Sequence, residues 1–381
     1  MNKKMENRNH NLSKLVIEKR NHFLDTFLAM KKNGFPIVIV GAGSFAKMIL
    51  EFLNRGSLSV DYIAVNKEWF KEGDEINGIK VINIEHILNQ NGRFNYIIAI
   101  QNFSKELKNK LSVNCCDILI FDPSFIGINT SSLLSREFFE GNISSFEDIY
   151  HRLSDERSRR ALVAFLNQRI SARTGFYESE FDPMHYFSED LILLKDNEVF
   201  IDCGAYDGDS INGFLKKIEE QGVGKPAKII GFEPDEKNFL SLCNNTANIQ
   251  NCYRFKKGVW RDRAVLHFSS GHDLSSKVTD SITENTIELI SIDEVMNGDV
   301  VTFIKMDIEG SELEALKGAE KTIKTHVPTL AISVYHKPED LIEIPKLIME
   351  MNSNYKFYLR AHHPRYAFDL VLYAIHSDKF N

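Results

Sequence analysis

Cysteine is scarce in this chain, and a long apolar run is missing. The five cysteines, Cys115, Cys116, Cys203, Cys243 and Cys252, are odd in number and include no Cys-x-x-Cys pair. That pattern signals neither a disulfide framework nor a zinc knuckle, and its simplest reading is five small buried apolar side chains. No stretch approaches the roughly 20 apolar residues that cross a bilayer, and the polar residues 1–10 hold no apolar signal core. The expectation is a cytoplasmic protein without a membrane span. An excess of basic charge is missing too: the formal net charge of -7 and the pI near 6.0 exclude a protein whose main partner is nucleic acid. The local basic run Arg157, Arg159 and Arg160 reads as a solvated helix face. What remains is ordinary globular material, 43% hydrophobic and 26% charged, and 381 residues suit two domains with connecting helices.

Apolar positions at Leu15, Phe23, Phe27 and Leu28 predict an amphipathic helix over residues 12–32. A buried strand follows at 35–40, then the turn Gly41-Ala42-Gly43-Ser44-Phe45-Ala46, then a helix over 47–55. Further strands at 62–65, 96–100 and 118–121 predict a parallel α/β sheet closing near Phe139. Residues 144–174 turn helical and charged, with Leu162, Phe165, Leu166 and Ile170 at helix spacing. A second alternation begins with a strand at 198–201. It continues with strands at 228–232, 253–255, 265–268, 301–305, 330–334, 355–359 and 370–375, the last two forming an antiparallel hairpin at a sheet edge. The expected fold is thus α/β with two Rossmann-like domains. Its parts are an N-terminal helix (1–33), a nucleotide-binding-like domain (34–140), a helical linker (141–195) and a second α/β domain (196–381).

The strand that opens the second domain ends in Asp202-Cys203-Gly204-Ala205-Tyr206-Asp207-Gly208. Gly204 lets the backbone approach a ligand, Gly208 permits a tight turn into the next helix, and Asp202 offers a carboxylate where the strand stops. A full Gly-x-Gly-x-x-Gly is missing, which disfavours pyrophosphate on the helix N-terminus. Asp202, Asp207 and Asp209 would repel phosphate but attract the ammonium and sulfonium of S-adenosylmethionine. The next strand ends in Glu233-Pro234, an acid placed to accept hydrogen bonds from both ribose hydroxyls.

Together with Tyr186-Phe187, the segments 199–210, 231–234, 258–262, 304–312 and 316–319 make the chain resemble the FkbM-type methyltransferase family over about half its length. The most specific is the Lys-x-Asp-Ile-Glu-Gly-x-Glu stretch from Lys305 to Glu312; Ser210 stands where threonine is commoner. The resemblance implies a class I methyltransferase sheet and methyl transfer from S-adenosylmethionine to a hydroxyl of a sugar, glycan or polyketide-like acceptor.

Read from the residues, Ile304-Lys305-Met306-Asp307-Ile308-Glu309-Gly310 is a buried strand with a charged end. Alternation places Lys305 and Asp307 on one side and Glu309 at the rim. A structural ion pair between Lys305 and one acid explains part of this cluster, whereas three ionisable groups together point to function. An alcohol acceptor needs a proton acceptor beside it, and Asp307, Glu309 and His336 are the candidates. His336 follows a strand and so lies at the sheet edge where such folds bind ligands. His362, His363 and Arg365 read as acceptor contacts or as an exposed hairpin loop. Asp280 and Ser281 are the candidates for adenine. A divalent metal beside a diol acceptor stays open.

In the first domain, Gly41, Gly43, Ser44 and Phe45 form a phosphate-cradling turn in strand-to-helix context. An NAD site would want an acid after the second strand, where Asn66 stands. Residues 35–101 resemble the nucleotide-sugar-binding first domain of bacterial sugar acetyltransferases. This implies a nucleotide-linked sugar, or a scaffold or dimer surface, so a homo-oligomer stays open. The leading reading is an O-methyltransferase for a saccharide or nucleotide-linked sugar. Its rivals are an NAD(P)-dependent oxidoreductase or epimerase and a non-catalytic nucleotide-binding assembly module.

Overall fold

The computed structural model describes residues 11–127, 133–268 and 285–380. Contacts divide the chain into two units: residues 18–126 with 167–176, and the described parts of 1–17, 127–166 and 177–381.

The first unit is built on strands β1 (Ile37–Val40), β2 (Tyr62–Val65), β3 (Glu75–Ile76), β4 (Ile79–Asn83), β5 (Phe94–Ile98) and β6 (Cys115–Ile120), in the order β3-β4-β2-β1-β5-β6. All pairings are parallel except β3 with β4. Val38, Val40, Tyr96 and Ile98 are buried in its core, as residues of strands covered on both faces should be. The β3–β4 hairpin turns on Asn77 and Gly78, both at positive φ, the backbone of a two-residue primed turn. That Asn-Gly pair announced the hairpin, and the reading of the sequence passed over it.

The second unit carries β7 (Val199–Cys203), β8 (Lys228–Phe232), β9 (Cys252–Phe255), β13 (Phe303–Met306), β14 (Thr329–Ser333), β15 (Tyr355–Ala361) and β16 (Leu370–His376), ordered β15-β16-β14-β13-β7-β8-β9. A small separate sheet holds β10 (Gly258–Val259), β11 (Ala264–Phe268) and β12 (Asn285–Ile290). In the large sheet β14, β13, β7, β8 and β9 run parallel, and at one edge β16 runs antiparallel to both β14 and the outermost strand β15. Chain order reverses between β7 and β13, the kind of switch point at which open α/β sheets bind ligands beyond the C-terminal strand ends. Beneath it, Phe200 stacks on Phe214 at 4.4 Å and meets Phe303 at 5.6 Å. Such pairs add about 0.5–1.5 kcal/mol each beyond area burial, which steadies the strand ends that carry the site.

Several expectations need correction. The helix expected over 12–32 is two helices, Leu12–Leu15 and His22–Asn33, because the Asn21 side chain accepts the Leu24 amide and caps a new start. Leu28 is exposed. Residues 144–174 are likewise divided, into Ile143–Arg152 and Glu156–Ser171, with Asp155 accepting the Ser158 amide at the break. Arg157, Arg159 and Arg160 are no free solvated face, since each is ion-paired: Arg157 with Asp182 and Asp190, Arg159 with Glu156, Arg160 with Glu180. Of the cysteines only Cys203 is fully buried.

Candidate functional site

The site is built where β7, β8, β13 and β14 end. Gly204 leaves β7 at φ 81°, and a Cβ placed on it would lie 1.9 Å from the Asp307 carbonyl oxygen. Glycine is therefore required by close approach of two strand ends as well as by backbone conformation. Asp202 is fully buried, its carboxylate 2.9 Å from the Lys305 ammonium and bonded by the Ser210 hydroxyl. Lys305 also donates to the Gly204 carbonyl at 2.6 Å. Burial pushes the Lys305 ammonium down, but Asp202 and Asp307 outweigh it and keep the group charged. Lys305 is thus the structural partner of Asp202, and neither side chain faces open solvent. The two hold the turn from beneath.

Glu233 ends β8 with both oxygens fixed: one accepts the Tyr206 amide at 3.0 Å and the other the Asp235 amide at 2.9 Å. Ala205 is buried below the turn, and the Tyr206 ring is exposed above it. Gly208, at φ 93°, precedes the helix Asp209–Gln221.

Asp307 follows β13. Its carboxylate accepts the Tyr186 hydroxyl at 2.5 Å and the Tyr335 hydroxyl at 3.3 Å, and lies 3.3 Å from His336 Nε2. Burial raises the Asp307 carboxyl, but His336, Lys305 and the Tyr186 hydroxyl outweigh it and hold the group below its ordinary range. His336 is fully buried, with Nδ1 3.0 Å from Glu312 and Nε2 3.5 Å from Glu309. Burial pushes this imidazole down, yet Glu312, Asp307 and Glu309 together lift it to about 9. Glu309 sits at φ 55°, half-exposed, at the rim where alternation placed it.

Asp307, Glu309 and His336 thus come together, with Glu233 and Gly204 on the neighbouring strand ends. Asp280 and Ser281 lie outside the described residues. His362 is neither an exposed loop residue nor an acceptor contact. It is buried, with Nδ1 2.8 Å from the Asp182 carbonyl and Nε2 2.8 Å from the Tyr373 hydroxyl. His363 Nδ1 accepts the amides of Arg365 and Tyr366 and closes its own turn. The sequence alone gives no role to Tyr335 or Glu312, although Tyr335 adjoins His336 and Glu312 closes the Lys305 motif. Nor does it give Tyr186 a partner, because the pairing of residues 186 and 307 exists only in the fold.

In the first unit, Gly41 (φ 110°) and the start of the helix Ser44–Arg55 border a cavity of about 610 Å³, lined by Gly43, Ser44, Phe45, Asn66, Trp69 and Gln101 among others. None of the lining residues carries a charged side chain.

Residues 202–359 match the methyltransferase FkbM domain. The chain is a methyltransferase. The match ends inside β15 and takes in Asp202, Glu233, Asp307, Glu309, Glu312 and His336. The methyltransferase is similar to the crystal structure of methyltransferase FkbM from Methylobacillus flagellatus KT, at 22% identity and TM-score 0.72, over 96% of this chain and 97% of that one. It is also similar to Aeropyrum pernix fibrillarin in complex with natively bound S-adenosyl-L-methionine, at 12% identity and TM-score 0.31, over 49% of this chain and 71% of that one. No curated protein matches the methyltransferase. No helix among its described residues is long and apolar enough to cross a membrane.

Proposed function

We propose that the methyltransferase takes its methyl group from S-adenosylmethionine and transfers it to a hydroxyl of a saccharide or nucleotide-linked sugar, acting in the cytoplasm. The observation that carries this reading is the Asp307 carboxylate, gripped by Tyr186 and Tyr335 beside the Gly204 turn. The residues at this edge fit the cofactor. Glu233 is held rigidly by two amides and keeps lone pairs for a ribose diol, and the Gly204 turn lets a ligand lie against bare backbone. When bound, S-adenosylmethionine supplies an electrophilic methyl on a sulfonium. The protein's part is alignment, a negative environment for the sulfonium, and a carboxylate at Asp307 to receive the hydroxyl proton. His336, at 3.3 Å, balances the charge of Asp307 from behind. The uncharged cavity at Gly41 supports the sugar-nucleotide class of acceptor, because the start of its helix favours a phosphate and Asn66 offers no carboxylate to the ribose of NAD. The test is transfer of labelled methyl from S-adenosylmethionine to a panel of sugar nucleotides and free saccharides. Label appearing on a sugar hydroxyl is the expected result; label found only on nitrogen or carbon acceptors would overturn the reading.

A further inference from the structure

We propose that Asp307, Glu312 and His336 form a binding site for a divalent transition-metal ion. One donor atom from each lies within 4.8 Å of the others. Zinc-like ions hold nitrogen and oxygen at about 2.0–2.2 Å, which sets donor separations of about 3–4 Å, so the set closes on an ion with movements of about an ångström.

A second observation is independent of that spacing. Glu312 is fully buried, and while its Oε1 accepts the Ile308 amide at 2.8 Å, its Oε2 has no hydrogen-bond partner among the described residues. Both ring nitrogens of the fully buried His336 stand within ion-pair distance of carboxylates, yet neither makes an aligned hydrogen bond. Buried polar atoms left in this state cost free energy, and a cation held by one ring nitrogen of His336 and by Glu312 satisfies two of them at once. The charge count agrees: the carboxylates of Asp307, Glu309 and Glu312 surround one imidazole, while Lys305 is committed to Asp202 and Lys337 to the Gly310 carbonyl. Imidazole mixed with carboxylates selects Mn²⁺, Fe²⁺ or Zn²⁺ over Ca²⁺. The metal's role rests on the reading above, since an ion at Asp307 would polarise the acceptor hydroxyl. The site itself does not depend on it.

The test uses full-length protein stripped with EDTA and titrated with Mn²⁺, free ion being read by electron paramagnetic resonance and no methyl donor being present. One Mn²⁺ per chain should bind and raise Tm. Asp307→Asn and His336→Gln, checked for native circular dichroism, should each weaken binding at least about thirtyfold. Glu309→Gln should stay within about threefold. Absence of saturable binding of Mn²⁺ or Zn²⁺ to the wild type overturns the site, as does binding that all three variants leave unchanged. Binding without methyl transfer would sink the functional reading and leave the metal site standing.

Discussion

At the end of β1 the chain passes through Gly41 into a helix, and at the end of β7 it passes through Gly204 into another, both glycines at positive φ. From there the two edges diverge. The cavity at Gly41 is lined by Asn66, Trp69, Gln101 and apolar or hydroxyl side chains, without a charged group. The edge at Gly204 gathers Glu233, Asp307, Glu309, Glu312 and His336. One strand-turn-helix design therefore supplies a place for a ligand twice, while the charges brought to it decide which ligand and whether chemistry follows. Close packing differs as well. A Cβ at Gly204 would lie 1.9 Å from the Asp307 carbonyl oxygen and one at Gly41 2.9 Å from the Ala99 carbonyl oxygen, whereas one at Gly43 meets nothing within 4 Å.

That packing difference yields the largest expected effect. Gly204→Ala should destabilise the fold by about 2–5 kcal/mol through positive-φ strain and overpacking, and Gly43→Ala by less than about 1 kcal/mol. Thermal melts of both variants check it, and equal melts would mean that the β7 and β13 ends are not so closely joined. Asp307→Asn should lower turnover at least about a hundredfold while cofactor affinity stays within a few fold, since proton acceptance matters in the transition state. No substitution at Gly41, Asn66 or Gln101 should reduce the chemical step comparably, and single-turnover rates decide between the two edges.

A smaller effect concerns pH. Burial, opposed by the Asp182 carbonyl and carboxylate and reinforced by Arg157 and Arg360, holds the His362 imidazole down at about 4. The unfolded chain then takes up a proton that the fold refuses. His362 thus leaves stability intact above about pH 6.5 and erodes it as pH falls towards 4, by about 1.4 kcal/mol at pH 5.5. Urea melts of wild type and His362→Gln between pH 5 and 7.5 check it: the stability of the wild type relative to the variant should fall by about 1.4 kcal/mol on going from pH 7.5 to 5.5, and a constant difference would contradict it. The Gly41 edge bears on a different ligand: NADH should bind it weakly, and micromolar affinity lost in Gly43→Val would point back to redox chemistry.

Both sheets and the edge hairpin were legible in the sequence because apolar runs and glycine turns are local signals. So were Glu233, Asp307, Glu309 and His336, each standing at the end of a recognisable strand. What the sequence hid was pairing across the fold. The burial of Asp202 against Lys305, the grip of Tyr186 on Asp307 and the orphaned oxygen of Glu312 depend on which strand ends become neighbours. The small sheet of β10, β12 and β11 was hidden for the same reason, since its strands look like members of the large one.

The central claim is that the charged edge holds S-adenosylmethionine through Glu233, and calorimetric titration tests it most directly. Wild type should bind the cofactor at one site per chain, and Glu233→Ala, which removes charge-assisted hydrogen bonds worth about 1.5–3 kcal/mol, should bind roughly tenfold or more weakly. No binding to the wild type at millimolar cofactor, or equal binding by the two proteins, would contradict it.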